Sequence, residues 1–250
     1  MSSERQLLES EGRWWGEHQH RYNEAIKRLK PGDIVLDIAC GTGFGTAALA
    51  AATSGKVIGG DISEEAITEC KENWVKANLD FQAMDGTALP FDDNHFDVIV
   101  SFETIEHTTS YPAMLKEFAR TLKPGGQLIL STPNAAITSP DGKIGNPYHT
   151  QEFRYAELKK ILEGVFSEAS LLGQRNKRYD KRSFKMLTGK LFESLFLSMG
   201  IRKLPYSFRN SIMKSLFGYT LYPVPDDFIL EASEEVITPT CPVLFAICKK

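Results

Sequence analysis

The stretch Val35-Leu36-Asp37-Ile38-Ala39-Cys40-Gly41-Thr42-Gly43-Phe44-Gly45 decides the fold. It reads as an apolar strand ending at Asp37, a glycine-rich turn, and an alanine-rich helix over 46–52. Glycines let backbone N–H groups approach a ligand closely, and a helix N-terminus adds positive potential at the same spot. The segment is therefore a backbone cradle for a nucleotide-type ligand. Spacing narrows the choice. Dinucleotide folds place the third glycine three residues after the second. Here the glycines fall at 41, 43 and 45, behind an acid at 37. No Lys-Ser or Lys-Thr follows, so the turn is not a phosphate-gripping P-loop.

Outward from this turn, strands and helices alternate. The first strand covers 34–38. A second strand over 56–61 leads into a helix over 63–75, with Ser63 a good N-cap ahead of Glu64-Glu65. Strands follow at 79–84 and 96–102; the run Val98-Ile99-Val100 is typical of a strand buried on both faces. A helix over 111–122 stops at Lys123-Pro124-Gly125-Gly126, and a fifth strand covers 127–131. A helix over 155–162, a sixth strand over 168–173 and a last strand over 243–248 complete the pattern. Upstream, Leu7, Leu8, Trp14, Trp15, Tyr22, Ile26 and Leu29 recur at helical spacing over 4–30, ended by Pro31-Gly32. The alternation predicts an α/β fold: a doubly wound, mostly parallel sheet with helices on both faces. The expected organisation is an N-terminal helical lid (1–33), an α/β core (34–173), a basic amphipathic insertion (174–240) and the final core strand (241–250).

Composition limits the alternatives. The 250 residues fit one large domain with an insertion, and a net charge of −3 gives no global signal for nucleic acid. The cysteines Cys40, Cys70, Cys241 and Cys248 show no C-x-x-C spacing and read as free thiols of a reducing cytoplasm. The N-terminus has no apolar signal-peptide core, and no run of about 20 apolar residues could span a bilayer. The expected location is cytoplasmic.

In open α/β sheets, ligands sit beyond the C-terminal strand ends. Asp37 closes the first strand, Asp61 the second, Asp85-Gly86 the third and Ser101-Phe102-Glu103 the fourth. A carboxylate at 61 can accept both hydroxyls of a ribose; one at 85 can accept from an adenine amino group. A single strand-end Asp is more often a turn former, and Asp61-Ile62-Ser63 could simply cap the next helix. Three such residues in order beside the glycine turn favour a binding site.

The D-x-x-C-G-T-G-x-G pattern of 37–45 resembles motif I of the class I S-adenosylmethionine (SAM) methyltransferases. Leu89-Pro90-Phe91-Asp92-Asp93-Asn94-His95-Phe96-Asp97-Val98, Leu122-Lys123-Pro124-Gly125-Gly126 and Ser131-Thr132-Pro133-Asn134 extend the resemblance over 35–173. It implies a Rossmann-like, seven-stranded methyltransferase fold with a helical insertion before the last strand, and SAM as cofactor. It also implies that Ala39, Gly41 and Gly43 contact the methionine part, with Asp37 among the cofactor-binding residues. Asp61 and Ile62 would hold the ribose, Asp85 and Gly86 the adenine, and Phe102 would lie near the sulfonium. Arg21 sits where ubiquinone-type O-methyltransferases carry an Arg for the methionine carboxylate.

Methyl transfer is an in-line displacement in which the protein positions the acceptor and handles its proton. Glu103, Glu106 and His107 are spaced so that one helical turn could gather them, and His149 follows the fifth strand in Asn146-Pro147-Tyr148-His149-Thr150-Gln151-Glu152-Phe153. His107 or His149 could act as base. Alternatively, Glu103, Glu106, His107 and His149 could bind a divalent metal such as Mg²⁺ or Mn²⁺. The E-x-x-E-H pattern is similar to the metal site of small-RNA 2′-O-methyltransferases and to ubiquinone O-methyltransferases. The Asn-Pro-Tyr-His-x-x-Glu-Phe piece resembles bacterial sugar and glycan-pathway methyltransferases.

Between Arg175 and Lys214 eleven cations face only Asp180 and Glu193, with apolar residues interleaved; Leu191 and Leu195, and Phe192, Phe196 and Met199, follow helical spacing. A packed helical lid is the simplest reading. A basic surface at 175–217 for the inner face of an anionic membrane, or for an anionic acceptor, is the alternative. The expected function is O-methylation of a small or carrier-linked hydroxylated acceptor such as a sugar precursor. N-methylation, RNA 2′-O-methylation and SAM binding without catalysis stand as alternatives; the near-neutral charge disfavours a nucleic-acid partner.

Overall fold

The computed structural model describes residues 14–178, 180 and 206–250. In chain order the elements are α1 (Trp15–Ile26), β1 (Val35–Ile38), α2 (Phe44–Ala52), β2 (Val57–Asp61), α3 (Glu64–Asn73), β3 (Leu79–Ala83) and β4 (Phe96–Phe102). A 3-10 turn (Ile105–His107) precedes α4 (Tyr111–Thr121), β5 (Leu122–Pro133), α5 (Ala135–Thr138), α6 (Tyr155–Glu163) and β6 (Glu168–Asn176). The chain closes with α7 (Tyr206–Phe217), β7 (Phe228–Glu231), α8 (Glu234–Thr240) and β8 (Val243–Lys249).

The strands form one sheet in the order β3-β2-β1-β4-β5-β8-β6-β7. From β3 to β5 every pairing is parallel; β8 runs antiparallel between β5 and β6. The chain order reverses between β1 and β4, the switch point where such sheets bind ligands. Both neighbours of β1 pair from Val35 onward, Val57 on one side and Val98 on the other. The turn after Ile38 therefore emerges at the centre of the C-terminal rim.

β1 and the middle of β4 are buried throughout, as expected for strands covered on both faces. Ile99, Leu128, Leu130 and Ala246 join Leu115 and Phe118 of α4 and Leu158 and Leu162 of α6 in the main apolar cluster. A smaller cluster of Cys40, Ile67, Cys70 and Phe81 lies beneath the glycine turn. Ser63 caps α3 as expected, its hydroxyl accepting from the amide of Ala66.

The fold class is the expected one, but eight strands replace the expected seven. The additional strand, β7, is four residues long and sits at the sheet edge, too short a run after Pro223 and Pro225 to stand out as a strand. β6 extends three residues past the expected end, because Gln174 is buried and Arg175 is held by Glu231 at 2.7 Å. β5 begins at Leu122, earlier than expected.

Contacts divide the chain into two compact units, one built of 21–175 and 230–250 and the other including the described parts of 9–20 and 176–229. Within the second, Arg178 is buried. Its guanidinium reaches Asp227 at 2.7 Å and the Thr220 carbonyl at 2.9 Å, and lies 5.3 Å from the Tyr219 ring centre. Arg175 and Arg178 are therefore neutralised internally, which corrects their reading as members of a free basic surface. The expected helical positions from Leu191 to Met199 and the cations from Lys181 to Lys203 lie outside the described residues.

Asn134 ties the end of β5 to the end of α8. Its side-chain amide donates to the carbonyls of Cys241 (2.9 Å) and Ile237 (3.3 Å), and its Oδ1 accepts from the amide of Ala136. Asn134, Ile237 and Cys241 are all buried. Asn134→Ala takes the side-chain donor from the Cys241 carbonyl, while the Ile237 carbonyl keeps the Cys241 amide; it should lower unfolding free energy by about 2 kcal/mol in urea titration, and a loss under about 0.5 kcal/mol would contradict the assignment.

Candidate active site

The turn after β1 is built from left-handed backbone: φ is 61° at Ala39, 55° at Gly41 and 74° at Gly43. A Cβ at Gly41 would meet no atom within 4 Å, so the turn opens to space on that side. Its inner side is fixed. The amide of Gly41 donates to Asp61 Oδ2 at 3.0 Å, the indole of Trp74 donates to the Thr42 carbonyl at 2.9 Å, and the Cys70 thiol donates to the Gly41 carbonyl at 3.3 Å.

Three strand-end carboxylates surround this turn in different environments. Asp37 is buried; its oxygens accept from Thr46 Oγ1 (2.6 Å) and from Tyr22 Oη (3.2 and 3.3 Å). Burial pushes its carboxyl up to about 7, against the hydrogen bonds from Thr46 and Tyr22, and the nearby Asp61 charge adds to the rise. Asp61 spends one oxygen on Gly41 and the other on the amide of Ser63 (2.9 Å). Each oxygen keeps a lone pair for a further donor. Beside it Ile62 is 76% exposed, an apolar side chain held in water at the rim. Asp85 is exposed; its Oδ1 accepts from the amide and hydroxyl of Thr87, both at 2.8 Å. Gly86 is buried where a Cβ would stand 3.0 Å from Met114.

Phe102 is buried at the end of β4, its ring edge-on to Tyr22 at 5.0 Å. Arg21 is also buried, donating to Gln174 Oε1 at 2.9 Å and lying 3.9 Å from Glu103. Glu103 has φ 51°, a conformation that costs a non-glycine residue on the order of 1 kcal/mol. Its carboxylate accepts from Ser131 Oγ at 2.7 Å.

The acceptor-side residues converge in part. Glu106, His107 and His149 each offer a ligand atom within 4.8 Å of the others; Glu103 is not in this group. The expected four-residue set is thus three residues, because Glu103 turns to Ser131 and Arg21. Glu106 is fully buried, with Oε2 accepting from Thr132 Oγ1 at 2.8 Å and Oε1 without a hydrogen-bond partner among the described residues. Burial and the adjacent Glu103 charge hold its carboxyl well above the ordinary range. His107 Nε2 lies 3.9 Å from Glu106 Oε1, and the two imidazoles meet edge-to-face at 4.9 Å.

The loop carrying His149 is locked onto the turn after β4. Thr150 donates its amide to the Glu106 carbonyl at 2.8 Å, and Gln151 donates to the carbonyls of Ile105 and Thr108. His149 is bound on both ring nitrogens: Nδ1 lies 2.8 Å from Glu152 Oε1, and Nε2 lies 2.9 Å from Asn146 Nδ2. Asn146 Oδ1 accepts from the Tyr148 amide, so its NH₂ faces the histidine. That arrangement assigns the proton of a neutral His149 to Nδ1 and the lone pair to Nε2. Burial works against ionising Glu152, but hydrogen bonds from Thr138, His149 and Ser139 outweigh it and hold its carboxyl below the ordinary range.

Several of these residues were not legible as site residues. Tyr22 reads as one apolar position in a helix; Glu152 and Asn146 lie three residues either side of His149, a spacing that could have drawn notice. Gln174 lies past the expected end of its strand.

Residues 36–130 match a methyltransferase domain family. A protein of Mycolicibacterium smegmatis, named as a probable S-adenosylmethionine-dependent methyltransferase, is 34% identical over 175 residues, covering 66% of each chain. The demethylmenaquinone methyltransferase of Symbiobacterium thermophilum is 41% identical over 127 residues, covering 48% of this chain and 49% of that one. The chain thus spans about half to two thirds of these curated relatives. The crystal structure of YcgJ from Bacillus subtilis shares the fold at 19% identity, with a TM-score of 0.59 over 93% of this chain and 99% of that one.

The raised carboxyl of Asp37 has a stability consequence. A carboxyl whose folded pKa exceeds its unfolded value of about 3.9 stabilises fully below that pH. That contribution is lost as pH rises through about 7. Between pH 4 and 7 the wild type should therefore lose stability that Asp37→Asn retains, on the order of 3 kcal/mol, in urea unfolding at stepped pH. Parallel pH profiles for the two proteins would contradict this.

Proposed function

Because this chain belongs to the class I S-adenosylmethionine-dependent methyltransferases, we propose that it methylates a hydroxyl oxygen of a small or carrier-linked acceptor. The observation that carries the oxygen assignment is the pairing of His149 with the buried carboxylate of Glu152. A hydroxyl must lose its proton on transfer, whereas a neutral amine can attack first and lose its proton afterwards.

The residues fit the cofactor. The open side of Gly41 and the left-handed backbone at 39, 41 and 43 leave room for its methionine part. Asp61 retains acceptor capacity for ribose hydroxyls, and exposed Ile62 offers an apolar cover beside it. Asp85 and Gly86 take the adenine end. Phe102 presents a ring toward the sulfonium side, and Arg21, 3.9 Å from Glu103, is the cation for the methionine carboxylate. The cofactor supplies an electrophilic methyl group on a cationic sulfur. The protein holds the acceptor in line and receives its proton at His149 Nε2 once the acceptor displaces the Asn146 amide. Glu152 keeps the opposite nitrogen protonated and carries the complementary charge when the ring becomes cationic.

A second reading keeps the reaction but changes the proton's handling. The unpartnered buried oxygen of Glu106, with His107 and His149 close by, has the donor chemistry of a site for a divalent ion such as Mg²⁺ or Mn²⁺. Such an ion would lower the acceptor's pKa, and His149 would then be a ligand. Within hydroxylated acceptors we favour sugar or glycan precursors, on the Asn146–Phe153 segment. The demethylmenaquinone relative shows that acceptors vary across similar chains.

The test is transfer of labelled methyl from SAM to a panel of nucleotide-linked and polyprenol-linked sugars, with and without EDTA. Label is expected on oxygen, with kcat/KM reduced about 100-fold or more in His149→Ala. Label on nitrogen with His149→Ala fully active would contradict the reading. Full turnover in EDTA with metal-free protein would remove the ion; loss restored by Mn²⁺ would establish it.

A further inference from the structure

The third glycine of the turn does not face open space. A Cβ at Gly45 would stand 1.9 Å from Cζ of Tyr22 and 2.2 Å from Cε1 and Cε2 of the same ring. Position 45 is therefore glycine because an aromatic ring from α1 lies flat against the start of α2. That ring is edge-on to Phe44 at 5.3 Å and to Phe102 at 5.0 Å. Its hydroxyl donates to the carboxylate of Asp37, which also holds Thr46. One buried tyrosine thus touches the end of β1, the first turn of α2 and the end of β4. The first two of these are the segments that lead into and out of the Gly41–Gly43 turn. Gly43 itself has no slack, since a Cβ there would stand 2.8 Å from the Cys70 sulfur and 2.9 Å from Phe81.

We propose that Tyr22 is a positioning residue for the cofactor, setting the Gly41–Gly43 turn through Asp37 and the Gly45 slot. The proposal rests on the reading of this rim as the SAM site. Tyr22 acts through Asp37 and the turn, so its loss weakens binding by misplacing groups that contact the ligand. A buried tyrosine that only anchors α1 would change stability and leave the affinity of the folded protein alone.

The pH dependence of binding separates these roles. The groups facing the Asp37 carboxyl are the Tyr22 and Thr46 hydroxyls, the Cys40 thiol and the Asp61 carboxylate; Arg21 acts on Tyr22. Removing the Tyr22 hydroxyl withdraws one donor from charged Asp37 and makes its ionised form harder to reach. A cationic cofactor is better served by the ionised form, so in Tyr22→Phe the rise of SAM affinity with pH should move to higher pH.

The experiment is calorimetric titration of the full chain with SAM and with S-adenosylhomocysteine, at pH 6, 7 and 8, for the wild type, Tyr22→Phe and Gly45→Ala. Tyr22→Phe keeps the ring and so keeps the packing. It should bind SAM about five- to tenfold more weakly at pH 7, with the pH dependence displaced upward. The pH displacement should be smaller for S-adenosylhomocysteine, which lacks the sulfonium charge. Gly45→Ala should weaken both ligands by forcing the ring out of its slot. Tyr22→Phe affinity within twofold of wild type at all three pH values would overturn the proposal alone. Failure of the wild type to bind either ligand would overturn the reading of the rim and this proposal with it.

Discussion

The hydrogen bond from the Gly41 amide to Asp61 holds the rest of the site together. It joins the loop leaving β1 to the end of β2 through a charged acceptor, a stronger class of bond than a neutral pair. The turn needs such a tie. Ala39 sits in left-handed backbone, which disfavours any side chain, and no helical or sheet ladder runs through 39–43. Asp61 also accepts from Ser63, whose hydroxyl caps α3, so one carboxylate sets both the turn and the helix beside it. Holding the turn and the helix start still leaves each Asp61 oxygen a lone pair for a further donor.

The rim's chemistry comes from sorting its carboxylates by environment. Asp37 and Glu106 are buried and pushed toward the neutral form; Glu152 is buried yet kept ionised by its donors. Asp85 lies in water. Groups whose environments drive their protonation apart can take separate roles within one site. The division here is spatial. Asp37 is occupied with internal donors beneath the turn, Asp61 and Asp85 keep acceptor capacity at its edge, and Glu106 and Glu152 border the two histidines.

Much of this was legible because local rules and tertiary context agree. Alternating apolar runs and helices gave β1 to β5 and their parallel order, since strands buried on both faces must be apolar. The strand-end acids were legible because the cradle is local: Asp37 to Gly45 is one strand–turn–helix. What escaped depends on distant partners. β7 is only four residues long, and β6 runs on through polar residues held by Glu231 and Arg21. Arg175 and Arg178 looked like surface charge because Glu231 and Asp227 lie some 50 residues away in the chain. Glu103 has the spacing to join Glu106 and His107, but its left-handed backbone turns it toward Ser131 instead. Tyr22 carries no motif at all; its place is visible only where Gly45 and Asp37 meet it.

Hydrogen exchange of the full chain with and without S-adenosylhomocysteine tests the central claim most directly, because it reads the rim amide by amide. The account predicts slower exchange at 39–45, 61–63 and 85–87, with smaller change along the outer strands β6 and β8. Unchanged exchange in those three segments under saturating ligand, or protection confined elsewhere, would contradict it.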